Sequence, residues 1–226
     1  MHTPVDSIIG QRALDAVVNR RAAAALVAAS AVFFTAEFVT AAAWSDPPYS
    51  YTHHFVSDLG VHGPATAFGQ FMYSPLAWVM NTGFVLFGLA ALAGVVLLRG
   101  LPARRRRMVV ALGAALGAGG VLVGLFPGSG DDGTTDYHGL GALLAFVAGN
   151  VLSILLGRSY RSLGVSRRLG RTLVTFGAAG LVSLVAFGVV LGSGAGILIG
   201  LVERGILYPF LVGFVLLGRA LWRARP

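Results

Sequence analysis

The sequence predicts an all-α polytopic membrane protein, a bundle of six transmembrane helices with both termini in the cytoplasm. Three observations predict it. The chain of 226 residues is 56% hydrophobic and only 12% charged, with a mean hydropathy of +0.78, whereas soluble domains carry about 25% charged residues. Apolar runs of about 20 residues recur along its length, each enough to cross a hydrocarbon core roughly 30 Å thick. All 17 basic residues are arginines, and they alternate with the runs in a way that sets orientation.

The polar segment 1–21 precedes the first run and suits a short amphipathic helix on Ile8, Ile9, Leu14, Val17 and Val18. The first span then covers about Ala22 to Trp44. Ala41 and Ala43 imitate a signal-peptidase site, but the run exceeds a usual signal h-region and contains Glu37, so a retained helix is expected. Further spans are expected at about Leu76–Leu98, Met108–Phe126, Gly139–Leu156, Thr172–Leu191 and Ile197–Leu217. The membrane domain is therefore 22–218, with a cap loop at 45–74 and a cytoplasmic tail at 219–226. Small residues four apart, including Gly113, Gly117, Gly120 and Gly124, then Gly141, Ala145 and Gly149, predict close helix packing.

Sixteen of the seventeen arginines fall before the first span, between spans two and three, between four and five, or at the C-terminus. The opposite loops hold Asp46, Asp58, Asp131, Asp132 and Asp136 with four of the five histidines, and no arginine. Short cytoplasmic loops carry the Lys/Arg excess, which puts both ends inside. The same distribution accounts for the net charge of +8 and argues against nucleic acid as a partner. With no cysteine, thiol catalysis, disulfides and Cys-type zinc sites are excluded.

Ionisable side chains inside a bilayer are costly and mark functional candidates. Glu37, Glu203 and Arg204 qualify, the two glutamates at a similar depth of roughly 10 Å from the outer face. Glu203 and Arg204 are consecutive, so their side chains diverge by about 100° and each needs a partner on another helix. Glu37 or Asp58 suits Arg204, and Asn81 is placed to hydrogen-bond a carboxylate. A buried polar cluster that only fixes helix register is at least as good a reading.

The cap segment Tyr49–Gly60, followed by His62, gathers His53, His54, Asp58 and His62. No metal is assigned to them, because the spacing is unspecific and hydrogen-bonded interfacial histidines explain it. The loop Pro127–His138 adds Asp131, Asp132 and Asp136, expected as a solvated acidic turn, and His138, which opens the fourth span and can point into the bundle. It lacks the pattern of a calcium loop, and no nucleophile elbow, P-loop or dinucleotide fingerprint is present, so the known soluble-enzyme chemistries get no support and the cofactor is unknown.

Taken together, Ser57-Asp58-Leu59-Gly60, Asn81, Phe126-Pro127, His138 and Glu203-Arg204 resemble the bacterial domain-of-unknown-function 998 family. The layout is also similar to the wider six-helix group containing the damage-regulated autophagy modulators, Sfk and the Frag lipid-remodelling proteins. In that group the fourth-helix His is often followed by Asp and the sixth-helix Glu by Trp, where this chain has Gly139 and Arg204. The resemblance implies shared architecture and lipid-related work.

Two functions stand close together. One is a membrane-embedded enzyme acting on a lipid or isoprenoid from the outer leaflet, with Asp58, His138 and Glu203 in acid–base roles, Glu37, Ser57 and Asn81 binding substrate, and Arg204 holding an anionic headgroup. The other is a non-catalytic lipid-binding or scaffold protein using the same cluster. An ion-coupled transporter stands behind both, since no polar track continues inward past Asn150 and Ser153.

Overall fold

The computed structural model describes residues 4–67, 69–128, 135–194 and 198–223, with side chains from Val17 onward apart from Ala67. Six helices make up the fold: α1 Pro4–Ala43, α2 Ala77–Leu97, α3 Ala103–Leu125, α4 Thr135–Arg158, α5 Arg167–Ser193 and α6 Ile199–Arg223. Each contains a stretch long and apolar enough to cross a membrane, the one in α1 being Val17–Ala43. The chain is a multi-pass membrane protein.

Two expectations change. Segment 1–21 is no separate helix from Pro4 on, because α1 runs unbroken into the first span; the side chains of Ile8, Ile9 and Leu14 lie outside the described residues, as do Asp131 and Asp132. Helix α3 begins at Ala103, so Arg104 to Arg107 occupy its first turns instead of the loop before it.

Each helix packs on its neighbours in sequence, α6 returns to α1, and α4 touches α6 across the middle. Phe33, Phe87, Phe210 and Phe214 tie α1, α2 and α6 together with ring centroids 5.5 to 6.4 Å apart. Lipid gives no hydrophobic drive for helices to associate, so close backbone approach and interhelical hydrogen bonds must hold the bundle. On α3, Gly117 and Gly120 meet Gly88 of α2, and Gly124 meets the backbone at Asn81. One step around the helix, Gly119 lies against Gly141 and Ala145 of α4. The Ser30 hydroxyl donates to the Leu211 carbonyl at 2.8 Å, Ser153 to Leu173 at 2.9 Å, and the Asn150 amide to Ile206 at 3.1 Å.

The cap between α1 and α2 is folded. It holds a 3-10 turn at Ser57–Gly60 and a short antiparallel hairpin, β1 Ala65–Ala67 with β2 Gln70–Met72. Val56, Asp58, Leu59, Gly60 and Val61 are all buried, so this stretch sits among the helix ends instead of lying over them.

Candidate functional site

The cap reaches the bundle because α6 offers it both hydrogen-bonding signs. The backbone N–H of Val56 donates to Glu203 Oε2. On the next residue, Arg204 Nη1 donates to the carbonyls of Tyr51 at 2.7 Å, His54 at 3.2 Å and Gly200 at 3.0 Å. Its Nη2 reaches the Tyr49 hydroxyl and lies 3.0 Å from Glu37 Oε1, to which Nε also donates at 3.0 Å. Tyr208 donates to the same Glu37 oxygen at 2.9 Å. The guanidinium carbon stands 4.9 Å from the Tyr51 ring centroid and 5.6 Å from that of Tyr49, within cation–π range.

Glu37 and Arg204, 0% and about 5% exposed at their side chains, thus form a hydrogen-bonded pair. Tyr208 is a member that sequence reasoning missed, although its position four residues after Arg204 places it on the same helix face.

The turn at Ser57–Gly60 is built locally. Asp58 Oδ2 accepts from the Phe55 N–H at 2.9 Å, and Leu59 is fully buried. Asn81 donates to the Gly60 carbonyl at 2.9 Å, and a Cβ on Gly60 would collide with the Asn81 side chain. A side chain at position 60 would push Asn81 off that bond. Asn81 therefore serves the turn, whereas its sequence position suggested a carboxylate partner.

His138 is seated just as closely. Its Nδ1 lies 2.7 Å from the Phe126 carbonyl oxygen, and since a carbonyl can only accept, Nδ1 carries a proton, which in a neutral ring leaves Nε2 as the acceptor nitrogen. Gly128, at φ +72°, lets the chain after α3 fold over the ring, and a Cβ there would lie 2.7 Å from His138 Cγ.

Ser57, Asp58, His138 and Glu203 line one cavity of about 340 Å³. Its other walls are apolar, with Phe55 and Met72 from the cap, Phe146 from α4 and Phe187 from α5. Between Leu143 on α4 and Leu191 on α5, both exposed, it opens toward the lipid-facing side. The opening follows from how α4 and α5 pack. Toward the arginine end they approach through Gly157 with Gly170 and through Gly177 and Gly180 against Asn150, while toward the cap the bulkier rings of Phe146 and Phe187 meet edge to face, their centroids 6.0 Å apart. A second hollow of about 30 Å³ adjoins Ser57, His138 and Glu203, with the size and polar partners for one water.

Burial, and after it the charge of Glu203, pushes the Asp58 carboxyl up to about 8. Asp58 is then largely protonated at neutral pH, able to donate a proton or a hydrogen bond. Glu37 and Arg204 are not among the residues lining this cavity, so the seven candidates divide. Four share the cavity, Asn81 braces the turn behind it, and Glu37 pairs with Arg204 behind the cap.

The loop histidines do not converge, and among the described residues no three His, Asp or Glu side chains form a metal-binding group. His54 stacks on Tyr49 at 5.2 Å and accepts from the Ser50 N–H at 2.9 Å; burial pushes its pKa down. His53 bonds Thr52 at 2.8 Å in an exposed turn, and His62 lies 6.4 Å from the Tyr73 ring.

The family described as "Protein of unknown function (DUF998)" matches residues 21–220, nearly the whole chain, and the chain belongs to it. The search of curated proteins and the search of solved structures each found no match.

Proposed function

We propose that this chain is a membrane-embedded enzyme acting on a lipid or isoprenoid, with Asp58, His138 and Glu203 as its acid–base groups and Ser57 beside them. The single observation that carries the reading is one cavity that joins those four residues to apolar walls and to an opening between α4 and α5. A lipid can enter sideways from the bilayer, with its chain along Phe146, Phe187 and Leu191 and its polar group at the carboxyls. Asp58 acts as the acid and His138 Nε2 as the base, while Glu203 holds the Val56 N–H with one carboxyl oxygen and takes part in proton transfer through the other.

Arg204 takes a different part in this proposal from the headgroup clamp its sequence position suggests. Its donors are engaged by Glu37, Tyr49 and three carbonyls, and the cavity is lined by carboxyls, imidazole and hydroxyl without a cation. The favoured substrate group is therefore uncharged, such as an ester, ether or alcohol, because an anionic phosphate would face Glu203 unpaired. A lipid-related activity is also what the resemblance to the autophagy-modulator, Sfk and Frag group implies.

A second reading, lipid binding without turnover, has its own support: Asp58 and Glu203 each devote an oxygen to a backbone N–H of the cap. One experiment separates the two. The full chain is purified into nanodiscs, copurifying lipid is identified by mass spectrometry, and products are sought after incubation with a membrane lipid extract. Turnover should fall roughly 10²–10⁴-fold in Asp58→Asn and His138→Gln while lipid still copurifies. Bound lipid with no product in the unsubstituted protein supports the second reading, and unchanged turnover in both variants ends the first.

We also infer that segment 1–21 and the tail 219–226 face the cytoplasm and that residues 45–74 cap the outer side. The support is the arginine distribution.

A further inference from the structure

At the end of the bundle away from the cap, the loop joining α2 to α3 packs on the loop joining α4 to α5. Gly100, at φ +88°, sits so close that a Cβ would lie 2.6 Å from the Ser162 carbonyl oxygen, and Leu98, Leu101 and Leu163 are buried beneath. On this base stands a pocket of about 420 Å³ whose polar rim is Arg104, Arg105, Arg158, Ser159 and Ser162. Arg105 is held in place by a 3.0 Å bond to the Ser159 hydroxyl, which itself donates to Leu155. Among the described residues, the Glu37–Arg204 pair is the only ion pair, so no described carboxylate answers these three guanidinium groups.

Orientation alone asks for arginines on this side, but not for three around one hollow. Nor does helix stability ask for Arg104 and Arg105, since cations in the first turn of α3 oppose its dipole; only Arg158, in the last turn of α4, suits its own helix. The apolar side of the pocket is Met108 on α3 and Leu155 on α4, and Leu112 follows Met108 by about one turn of α3. There a crease of about 300 Å³ runs between Leu112 and Ala115 of α3 and Leu144 and Val147 of α4, reaching Leu140. From Leu155 in the pocket to Leu140 in the crease, α4 rises roughly 20 Å, the scale of an acyl chain.

We propose that this pocket and crease bind one anionic phospholipid, its phosphate on Arg104, Arg105 and Arg158 and an acyl chain between α3 and α4. Guanidinium groups match phosphate oxygens in geometry and charge, and Ser162 supplies a hydroxyl donor beside them. The crease selects a lipid over free phosphate. The crease shares Leu143 with the lining of the cap-end cavity, but the arginine pocket shares no residue with it, and the site stands whether or not that cavity is catalytic.

Native mass spectrometry of the full chain in neutral detergent, titrated in parallel with phosphatidylglycerol and phosphatidylcholine, tests it. The expected result is a preference for phosphatidylglycerol that weakens by roughly 30-fold in Arg104→Gln/Arg158→Gln, at about fivefold per arginine. Arg219→Gln/Arg223→Gln, which removes equal charge elsewhere at the same end, should keep the preference. Val147→Trp fills the crease from an exposed wall without touching an arginine, and it should release phosphatidylglycerol too. Equal loss in the Arg219/Arg223 variant would mean diffuse surface charge and overturn the site. Retention by Val147→Trp, or displacement of the lipid by millimolar inorganic phosphate, would overturn the lipid assignment; absence of any preference would overturn both.

Discussion

Glu203 and Arg204 are adjacent in sequence and serve different neighbours, because one step along a helix turns the side chain by about 100°. Glu203 faces the cavity beside Asp58, whereas Arg204 turns to Glu37 and the cap carbonyls. Removing one partner of a buried pair strands the other charge, which typically costs about 3–5 kcal/mol. Glu37→Gln should therefore lower the unfolding free energy in detergent by an amount of that order. Glu37→Gln with Arg204→Met should recover most of it, and a loss below about 1 kcal/mol in the single variant would show the pair to be dispensable. Asp58 makes a different prediction. Its folded pKa of about 8 lies above the unfolded value near 3.8, so the native state holds a proton that the unfolded chain gives up. This stabilising contribution is complete below about pH 4 and declines as pH rises through about 8. Melting temperature measured against pH should show that decline in the unsubstituted protein, and Asp58→Asn should flatten it. Identical profiles for the two proteins would mean that Asp58 is ionised in the folded state.

At the level of elements, the six spans were legible because a bilayer demands about 20 apolar residues and satisfied backbone in each crossing. The packing face of α3 was legible for the same reason: Gly113, Gly117, Gly120 and Gly124 recur at helical spacing and all meet α2. What the spacing left open is which glycines make contact and which stand at an opening. A Cβ at Gly120 would sit 2.7 Å from the Phe84 carbonyl oxygen, whereas at Gly188, in the cavity lining, it would meet nothing within 4 Å. Gly120→Ala should cost about 1–3 kcal/mol through overpacking, and Gly188→Ala should stay within about 0.5 kcal/mol. Gly188→Trp should leave the bundle folded while lowering the lipid recovered with it, as mass spectrometry of the purified protein would show. Undiminished lipid in that variant would count against entry between α4 and α5. The cap hairpin and the descent of Ser57–Gly60 were not legible, since they depend on distant partners such as the Gln70 amide on the His53 carbonyl and the Val56 N–H on Glu203.

Across the whole molecule, polar chemistry is divided between two ends that the sequence already distinguishes by charge. The cap end joins buried carboxyls, an imidazole and aromatic rings, while the other carries arginines without described acidic partners. The membership of the cap-end cavity could not be read, because it depends on which side chains of the cap, α4, α5 and α6 come together, a property of their packing and not of any one helix. The proposal that the arginine end faces the cytoplasm rests on the arginine bias, since Arg-rich short loops resist translocation. The absence of cysteine makes this directly testable. Thr66 in the cap and Ser162 in the loop between α4 and α5 are both exposed, so Thr66→Cys and Ser162→Cys each supply one accessible thiol. In intact cells a membrane-impermeant maleimide should label Thr66→Cys and spare Ser162→Cys, and permeabilisation should make the two equal. The reverse pattern would put the arginines outside. It would also move the phosphate pocket to the outer leaflet and turn the cap-end cavity toward lipids of the cytoplasmic one.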